Sequence, residues 1–342
     1  MSDGPRISVR QAVEPVAAGA AEELAGRGLN SSYRVVRGGL SYAVKVHCAE
    51  HSSETEARRI RSVDVALRGA PWYPPVLDLG TVRMAGRPRL VVVRPYVPGV
   101  PAQDARTHIP EVVAVLGELA ARAGGPAAGA VAEELVGDYA TPWTDDAGRE
   151  RAATARLLTG EWRELGRTVD RRLDELSASA VRLTRADATV LHHGDLHGRN
   201  LIADGPGRLT VIDWDEAGLS RRPADAGKAL WLSCRLGRGD FVLDPGAVRS
   251  YLGLLHSRLG IPYATAPELA RLGALWFLPR HRHVELLAGR DPALAPWYLG
   301  WVGRFWARFG RNLELIAGVA AEGPEPGSGS AEYPVAGGPE SG

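Results

Sequence analysis

Residues 193–200 read His-Gly-Asp-Leu-His-Gly-Arg-Asn, and residues 211–215 read Val-Ile-Asp-Trp-Asp. In phosphoryl transfer, one carboxylate receives or orients the attacking hydroxyl group, while an amide oxygen and a second carboxylate hold hard cations on the phosphates. Asp195, Asn200 and Asp213 supply these three groups, at spacings of five and thirteen residues. Because Gly, Asp and Asn also favour turns for local reasons, two solvated turns are the simpler alternative. The apolar strand candidates around the motif favour the chemical interpretation.

The sequence before this segment is typical of a small antiparallel sheet. Residues 32–36 and 40–46 are rich in β-branched and aromatic residues and flank a Gly-Gly turn, which predicts a hairpin. A capped helix is predicted over 54–69, and two more strands are predicted at 76–82 and 89–97. This part of the chain therefore predicts a lobe rich in strands.

After the last of these strands the pattern becomes mostly helical. Amphipathic spacing predicts helices at 111–123, across 146–178 and from 223 to 318, with the polar segment 189–218 between them as short strands and loops. Residues 1–10 are predicted to be a loose terminus, and the Gly- and Pro-rich end of the chain is too poor in apolar residues to fold. We therefore expect an α+β fold with two lobes, a small antiparallel sheet followed by a larger, mainly helical lobe.

The sequences HHGDLHGRNLI and VIDWDEAG resemble those of the aminoglycoside phosphotransferase and choline-kinase-like family, small-molecule kinases with a protein-kinase-like fold. The first is similar to the HxDLxxxN catalytic loop of protein kinases, with glycine in place of arginine. The resemblance implies that Asp195 is the catalytic base and that Asn200 and Asp213 bind Mg2+. It also implies that His193 and His197 support the loop.

The resemblance covers residues 24–318. It implies an N-terminal nucleotide-binding lobe (1–97) and a C-terminal catalytic and acceptor-binding lobe (98–321), and the composition of the remaining residues predicts a disordered tail (322–342). Two departures from the family pattern occur. Gly198-Arg199 replaces its usual proline–glycine pair, and Pro-Ala-Asp-Ala-Gly replaces its P-x-x-D-L-A, which assigns the structural aspartate to Asp225. Neither departure removes a catalytic group.

Only two of the 41 basic residues are lysines, Lys45 and Lys228. Lys45 lies in Ala-Val-Lys-Val within a predicted strand and resembles the V-A-I-K lysine that contacts nucleotide phosphates. A lone lysine in a strand is otherwise usually a solvated edge residue. The resemblance implies a carboxylate partner for Lys45 in the following helix. We expect Glu56 there, with Glu54 as the alternative, because the two side chains face different sides of a helix.

Small residues before the hairpin are suited to bind phosphate, because glycine and small hydroxyl residues let backbone N–H groups approach phosphate oxygens. The candidates are Gly28, Asn30, Ser31 and Ser32. The stretch is not a Walker A motif, since GxxxxGK[ST] does not occur. Arg94 and Tyr96 lie where the two predicted lobes join, so we expect their backbone to hydrogen-bond the purine edge of the nucleotide.

Composition disfavours several other classes. The net charge of +1 argues against a general nucleic-acid binder or a protein bound to an anionic membrane. The two cysteines cannot form a disulfide framework, and no apolar run has the length of a signal peptide or a membrane span, so we expect a cytoplasmic protein. His192, His193 and His197 lack the HExxH spacing of a zinc site, and no GxSxG nucleophile elbow occurs. A monomer and a homodimer are both compatible with the sequence.

Residues 271–312 contain seven arginines but only two acids, together with four of the nine tryptophans. For most of these residues, a helical core with solvated arginines is the simpler interpretation. On a continuous helix, however, Trp276, Arg280 and His283 would share one face and offer a stacking surface beside a donor. Because an aminoglycoside carries several positive charges and needs carboxylates around it, we expect a neutral, anionic or nucleoside-like acceptor.

We therefore expect a phosphotransferase that moves the γ-phosphoryl group of ATP or GTP to a hydroxyl group of a small molecule, with Mg2+ as cofactor. The expected acceptor is an antibiotic, with resistance or self-resistance as the role. A metabolic kinase acting on a sugar, an amino alcohol or choline is the first alternative. A non-catalytic nucleotide-binding scaffold is an alternative of another class, although the lysine, asparagine and two aspartates that catalysis needs are all present.

Overall fold

The computed structural model describes residues 7–24, 29–102, 104–123, 136–186, 188–203, 209–237 and 239–324. The strands are β1 (Glu22–Leu24), β2 (Ser31–Arg37), β3 (Leu40–Val46), β4 (Asp78–Met84), β5 (Arg87–Pro95), β6 (Val190–His192), β7 (Leu201–Ala203), β8 (Leu209–Val211) and β9 (Gly218–Ser220). The helices are α1 (Val9–Ala17), α2 (Glu54–Leu67), α3 (Ile109–Ala123), α4 (Thr141–Asp145), α5 (Ala147–Leu157), α6 (Arg163–Arg182), α7 (Ala224–Ser233), α8 (Pro245–Leu259), α9 (Ala266–Ala274), α10 (His281–Arg290) and α11 (Leu294–Glu322). Strands dominate as far as β5 and helices dominate after it, which confirms the two-lobed α+β fold.

A five-stranded antiparallel sheet forms the first lobe, in the order β1-β2-β3-β5-β4. The predicted hairpin is β2 and β3, paired along their whole length. Because β3 is the central strand, Lys45 lies between Ser32 of β2 and Val92 of β5 in the register of the sheet. One face of the sheet buries Val44 and Val93 against α1. The lysine is therefore held on the most constrained strand of the lobe.

The N-terminal part differs from the prediction, because an ordered helix begins within residues 1–10. The Ser8 hydroxyl accepts a hydrogen bond from the Gln11 amide, and the Gln11 side chain accepts one from the Ser8 amide, which is a capping box. Ile7 and Val9 are buried beneath the sheet. The helix has only a short buried face, and so its apolar pattern was too brief to predict it.

α2 begins as predicted and connects the two lobes. The Ser53 hydroxyl accepts a hydrogen bond from the Glu56 amide, and acidic residues in the first turn are favourable beside the helix N-terminus. Ile60 packs on the sheet, whereas Val63 and Leu67 belong to the core of the helical lobe. The helix therefore contributes to both hydrophobic cores.

The predicted polar segment 189–218 lies on the helical lobe as two short antiparallel pairs, β6 with β9 and β7 with β8. Trp214 supports it from below: its ring stacks on Trp72 at 5.5 Å, and its indole N–H donates to the carbonyl of Val211 at 2.7 Å. The polar loops thus rest on a packed aromatic base. None of the helices in the described parts of the chain is long and apolar enough to cross a membrane.

Two glycines bring α7 and α9 into direct backbone contact. A Cβ atom on Gly273 would lie 2.1 Å from the carbonyl oxygen of Gly227, and a Cβ atom on Gly227 would lie 2.7 Å from the carbonyl oxygen of Leu269. Any side chain at either glycine would force the two helices apart. The position of α7 relative to α9 is therefore tightly fixed.

Candidate active site

The carboxylate of Asp195 accepts hydrogen bonds on both oxygens, from side chains of the helical lobe. Its Oδ1 is 2.5 Å from the Lys228 ammonium, and its Oδ2 is 3.1 Å from the Asn200 amide nitrogen and 3.2 Å from His197 Nε2. Burial alone would raise the pKa of the Asp195 carboxyl, but His197 and Lys228 hold it well below its ordinary value. The carboxylate is therefore ionised and fixed in orientation.

Two buried side chains hold the loop of Asp195 from behind. His193 accepts a hydrogen bond from the Asp195 amide at Nδ1 (3.0 Å) and contacts the Ile212 carbonyl through Nε2 (2.9 Å), which fits the tautomer protonated at Nε2. Burial lowers the pKa of His193, so the ring stays neutral. Asp225 accepts from the amides of His193 at 2.5 Å and Gly194 at 2.9 Å. The loop is thus tied both to the strand end at Ile212 and to α7.

Gly194 occupies a place that no other residue fits. Its φ of 82° lies in the left-handed region, and a Cβ atom there would lie 2.6 Å from the Cβ of Glu216. The loop can therefore approach the turn at Glu216 only with glycine at this position. His197 closes the other end of the loop, where its Nδ1 accepts from the Arg199 amide at 3.1 Å.

Lys45 reaches from the sheet to the two carboxylates of the Asp-Trp-Asp turn. Its ammonium is 2.5 Å from Asp213 Oδ1 and 2.6 Å from Asp215 Oδ2. Burial would lower the pKa of Lys45, but the two carboxylates together raise it above its ordinary value. The Asp215 carboxylate also accepts a hydrogen bond from the side-chain amide nitrogen of Asn30 at 2.8 Å. Asp213 adopts a left-handed φ of 67°, which is uncommon for a residue other than glycine and concentrates at functional sites.

Asn200 and Asp213 offer oxygen atoms suited to a magnesium ion. The Asn200 amide nitrogen donates to the Asp195 carbonyl at 2.8 Å, which leaves its amide oxygen for a cation. The Ile212 amide donates to the Asn200 carbonyl at 2.8 Å and keeps the two candidates close along the chain fold. In the described part of the chain, no three His, Cys, Asp or Glu side chains cluster as a metal site. The donor set therefore fits Mg2+ that takes further ligands from phosphates.

The predicted pair of Lys45 and Glu56 is wrong for this structure. Glu56 contacts Arg59 on its own helix, and Glu54 pairs with Arg61 at 3.0 Å on the solvent side. Lys45 has two carboxylates nearer to it in the Asp-Trp-Asp turn, and the guanidinium of Arg59 already neutralises Glu56. The ion pair that the resemblance implied is thus replaced by a lysine–aspartate contact between the lobes.

Only part of the predicted phosphate-binding stretch is described. Gly28 lies outside the described residues, whereas Ser31 and Ser32 begin β2 beside the lysine strand. The Asn30 side-chain oxygen accepts from the Cys48 amide at 3.0 Å. Asn30 therefore ties the start of β2 to the end of β3 at the edge of the site.

The side chains of Arg94 and Tyr96, predicted at the join of the lobes, both contact residues of the first lobe. Arg94 donates to the Pro74 carbonyl at 2.5 Å, and the guanidinium of Arg34 lies 4.7 Å from the centre of the Tyr96 ring. The Tyr96 amide donates to the Ser41 carbonyl at 3.1 Å, so this donor is used within the sheet. Backbone contacts of this segment with a purine stay a prediction.

A sequence profile described as the phosphotransferase enzyme family matches residues 20–258, well over half of the chain. The chain belongs to this family. It is an enzyme, a phosphotransferase, and the family resemblance of its two motifs is confirmed. A comparison with curated protein sequences gave no match.

Solved structures share the fold of this phosphotransferase across most of its length. A microcompartment-associated aminopropanol kinase is 21% identical with a TM-score of 0.65, covering 87% of this chain and 94% of its own. Choline kinase from Cryptosporidium parvum Iowa II is 12% identical with a TM-score of 0.56, covering 88% and 90%. A spectinomycin phosphotransferase, solved with ADP and spectinomycin, is 13% identical with a TM-score of 0.55, covering 87% and 92%. These similarities establish the kinase-like fold.

The residues predicted to form the acceptor face of this phosphotransferase do not share one helix. Trp276 lies in a short 3-10 turn, Leu275–Phe277, that follows α9. Arg280 precedes α10 in an extended conformation, and His283 lies within that helix. Pro279 accounts for the break, because proline cannot continue a helix and disfavours helical backbone in the residue before it.

Trp276 and His283 nevertheless reach one aromatic wall, which consists of these two residues with Tyr298 and Trp301 of α11. The Trp276 ring is 5.6 Å from Trp301, which is 6.4 Å from Tyr298, and Tyr298 is 4.9 Å from His283. Loss of water around His283, with a contribution from the charge of Arg280, lowers the pKa of the imidazole to about 4. The wall is therefore uncharged at neutral pH.

The arginine excess of residues 271–312 is not concentrated at this wall. Arg271 pairs with Glu175 at 2.5 Å, and Arg304 donates to the Gly239 carbonyl at 2.7 Å, so both guanidinium groups have partners outside the wall. Arg280 is exposed and lies within electrostatic range of Tyr298 and His283. A charge count along the sequence is thus a poor guide to the charge around the aromatic wall.

Three residues of the site were missed by the sequence analysis as parts of it. Asp215 shares Lys45 with Asp213, and Arg59 donates to the main-chain carbonyls of Asp215 and Ala217, the latter at 2.9 Å. Lys228 contacts Asp195 directly. The rarity of lysine was a usable signal for Lys228, whereas nothing in the spacing of Arg59 distinguishes it from surface arginines.

Proposed function

We propose that this kinase transfers the γ-phosphoryl group of ATP or GTP to a hydroxyl group of a small acceptor, with Asp195 as the catalytic base. The observation that carries the proposal is the ionised and oriented Asp195 carboxylate beside Asn200. Lys45 contacts Asp213, the other carboxylate of the motif. A protein of the same fold solved with ADP and spectinomycin supports a nucleotide as the donor.

In this reaction the acceptor oxygen forms the new bond to the γ-phosphorus while its proton passes to the Asp195 carboxylate. The bond between the γ-phosphorus and the β–γ bridging oxygen breaks, and ADP or GDP leaves with that electron pair. Lys45 holds phosphate oxygens through its ammonium. Asn200 and Asp213 would hold Mg2+, which neutralises charge on the phosphates when bound.

The expected acceptor is an antibiotic that is neutral or has a flat ring, such as a nucleoside-type compound. The uncharged aromatic wall suits stacking on such a ring. Lys228 compensates the charge of Asp195, so this carboxylate offers little attraction to the ammonium groups of a polycation. Phosphorylation of such a compound would serve resistance or self-resistance.

An amino alcohol kinase is the second candidate, and Glu216 is the observation that favours it. The Glu216 side chain is exposed, and its carboxylate lies within electrostatic range of Lys228, Asp195 and Tyr298. Loss of water around the Glu216 carboxyl raises its pKa to about 7, so an acceptor with one ammonium group would favour the charged carboxylate when it binds. The shared fold with an aminopropanol kinase supports this candidate.

The test offers Mg–ATP and Mg–GTP with a panel of alcohols at equal concentration. The panel holds a nucleoside antibiotic, a neutral sugar, 1-amino-2-propanol, choline and kanamycin, and the readouts are ADP or GDP release and the mass of a phosphorylated product. We expect transfer to the nucleoside antibiotic or to 1-amino-2-propanol. Preferential phosphorylation of kanamycin would contradict the proposed acceptor class, and transfer to no alcohol at all would contradict the activity.

Two variants make this test specific. Asp195→Asn should lower kcat by about 10²–10⁴-fold and leave the nucleotide Kd within about threefold, because the base acts on the acceptor and not on the donor. Glu216→Gln should weaken use of 1-amino-2-propanol while neutral acceptors are unaffected. Asp104→Asn is the matched control for Asp195→Asn, since Asp104 pairs with Arg106 outside the site.

A further inference from the structure

The second lysine of the chain is completely buried against the catalytic loop. The Lys228 ammonium lies 2.5 Å from Asp195 Oδ1, 2.7 Å from the Gly194 carbonyl and 3.6 Å from the centre of the Trp276 ring. An ammonium has three N–H donors, and a buried charge is costly unless it is paired and hydrogen-bonded. Two donors are used on the loop, and the aromatic face covers the ammonium as a cation–π partner.

Helix α7 contacts the catalytic loop through two side chains that lie one helical turn apart. Asp225 accepts from the amides of His193 and Gly194, and Lys228, one turn later, donates to the Gly194 carbonyl and the Asp195 carboxylate. Residues three apart lie on the same face of a helix, so both side chains meet the same loop. The first contact holds only the backbone, whereas the second also holds the carboxylate.

The contact at Oδ1 completes the orientation of Asp195. Asn200 and His197 contact only Oδ2, from the opposite side of the carboxylate. Without the ammonium, rotation of the carboxylate about its Cβ–Cγ bond would be limited on one side only. With it, both oxygens have fixed partners.

The same ammonium also connects the base to the acceptor side. Trp276 packs at 5.6 Å against Trp301 of the aromatic wall, and the Gly227–Gly273 backbone contact sets α7 against α9, just before the Trp276 turn. The distance between Lys228 and Trp276 therefore depends on the packing of α7 against α9 and on the short turn that follows α9. A displacement of the ammonium would affect the base and the wall together.

We propose that Lys228 is a positioning residue for the phosphoryl transfer: it fixes the Asp195 carboxylate in the orientation that receives the acceptor proton, and it keeps Trp276 at a set distance from that carboxylate. The inference rests on the proposed function for the role of Asp195. The ion pair itself can be tested without any acceptor.

The first experiment uses the scarcity of lysine. Because Lys45 and Lys228 are the only lysines, 15N-lysine labelling gives two side-chain ammonium signals, which Lys45→Met and Lys228→Met assign. We expect Asp195→Asn to shift the Lys228 signal and to leave that of Lys45 in place, and Asp213→Asn to do the reverse. A Lys228 signal that exchanges rapidly with water and ignores Asp195→Asn would overturn the proposal.

The second experiment separates positioning from stability. Lys228→Met should lower kcat by about 100-fold, as a displaced catalytic group does, with the Kd for Mg–AMP-PNP within about threefold of the parent. Lys228→Arg keeps the positive charge and should recover about a tenth or more of the parent kcat. Leu232→Ala, a buried substitution on the same helix, is the control for loosening of α7 and should lower Tm without a comparable loss of kcat.

A double-mutant cycle with Asp195→Asn completes the test. If Lys228 acts through Asp195, Lys228→Met should change the residual turnover of Asp195→Asn by less than about threefold. An unchanged kcat in Lys228→Met, or a loss of the same size with and without Asp195, would overturn the positioning role. Failure of every alcohol in the panel would instead contradict the proposed function, and the ammonium signals would still decide whether Lys228 is bound to Asp195.

Discussion

The two lysines of this phosphotransferase hold the two sides of its site in different ways. Lys45 on the sheet has a side chain 20% exposed and contacts Asp213 and Asp215, one of which is itself 41% exposed. Lys228 on the helical lobe has no exposed side-chain surface and is enclosed by Asp195 and an aromatic ring. Contacts of the first kind can be exchanged for phosphate oxygens, because water and ligands reach them. The buried contacts of Lys228 are closed to water and ligands, so they can only fix the orientation of the groups that they join.

This difference predicts different kinetic consequences on the two sides. Substitutions at the donor side should act mainly on nucleotide and Mg2+ affinity, since the side chains there would hold the phosphates and the cation in the proposed function. Substitutions at the acceptor side should act mainly on kcat, because the groups there orient a base. Nucleotide binding and turnover measured on the same variants would show whether the two sides are separable.

The largest effect on the donor side is expected for Asp213→Ala. Asp213 contacts Lys45 and would supply a full negative charge to a hard cation, whereas Asn200 would supply only a neutral amide oxygen. Asp213→Ala should weaken Mg2+-dependent nucleotide binding by about 100-fold or more, and Asn200→Ala should weaken it by about tenfold. Calorimetric titration of AMP-PNP with and without Mg2+ measures both.

The same titration without Mg2+ serves as the control for this prediction. The parent and Asn200→Ala should bind the metal-free nucleotide alike, since the Asn200 oxygen acts only through the cation. If both variants bind Mg–AMP-PNP as tightly as the parent, the cation lies elsewhere and the donor side has been assigned wrongly.

A smaller effect distinguishes the observed lysine partner from the predicted one. Asp215→Asn removes a carboxylate from Lys45 and should weaken nucleotide binding by about tenfold. Glu56→Gln removes only a partly exposed pair with Arg59, which also donates to the Asp215 carbonyl, so a change of about fivefold or less is expected. The reverse order, found by the same titration, would show that Lys45 pairs with Glu56 in solution.

The three motif residues of the site were predictable from the sequence, whereas the partners of its two lysines were not. Asp195, Asn200 and Asp213 lie on one continuous segment, whose fixed spacing carries most of the geometry. Lys228 reaches the same site only because α7 crosses α9 at two glycines, a tertiary contact without a local pattern. The predicted helical face that included Trp276 was wrong, because helical spacing was extended across a proline at which the chain leaves the helical conformation.

The smallest expected effect concerns the aromatic wall and is a change of stability with pH. The imidazole of His283 has a pKa of about 4 in the folded protein, against an ordinary value of 6.5. The unfolded chain therefore binds a proton at a higher pH than the folded chain does. The part of the unfolding free energy that depends on His283 is therefore at its maximum above pH 6.5, and it decreases as the pH falls from 6.5 towards 4.

His283→Phe measures this contribution, because phenylalanine keeps a ring against Tyr298 but cannot be protonated. Between pH 7.5 and pH 4.5 the parent should lose about 1–3 kcal/mol more of its unfolding free energy than the variant does, from the difference in pKa. Urea unfolding of both proteins at the two pH values gives this difference, and groups common to both cancel. Equal losses would mean that His283 is as well hydrated in the folded protein as in the unfolded chain. In that case the wall is open to water and cannot be the rigid, uncharged surface that distinguishes the acceptor side from the donor side.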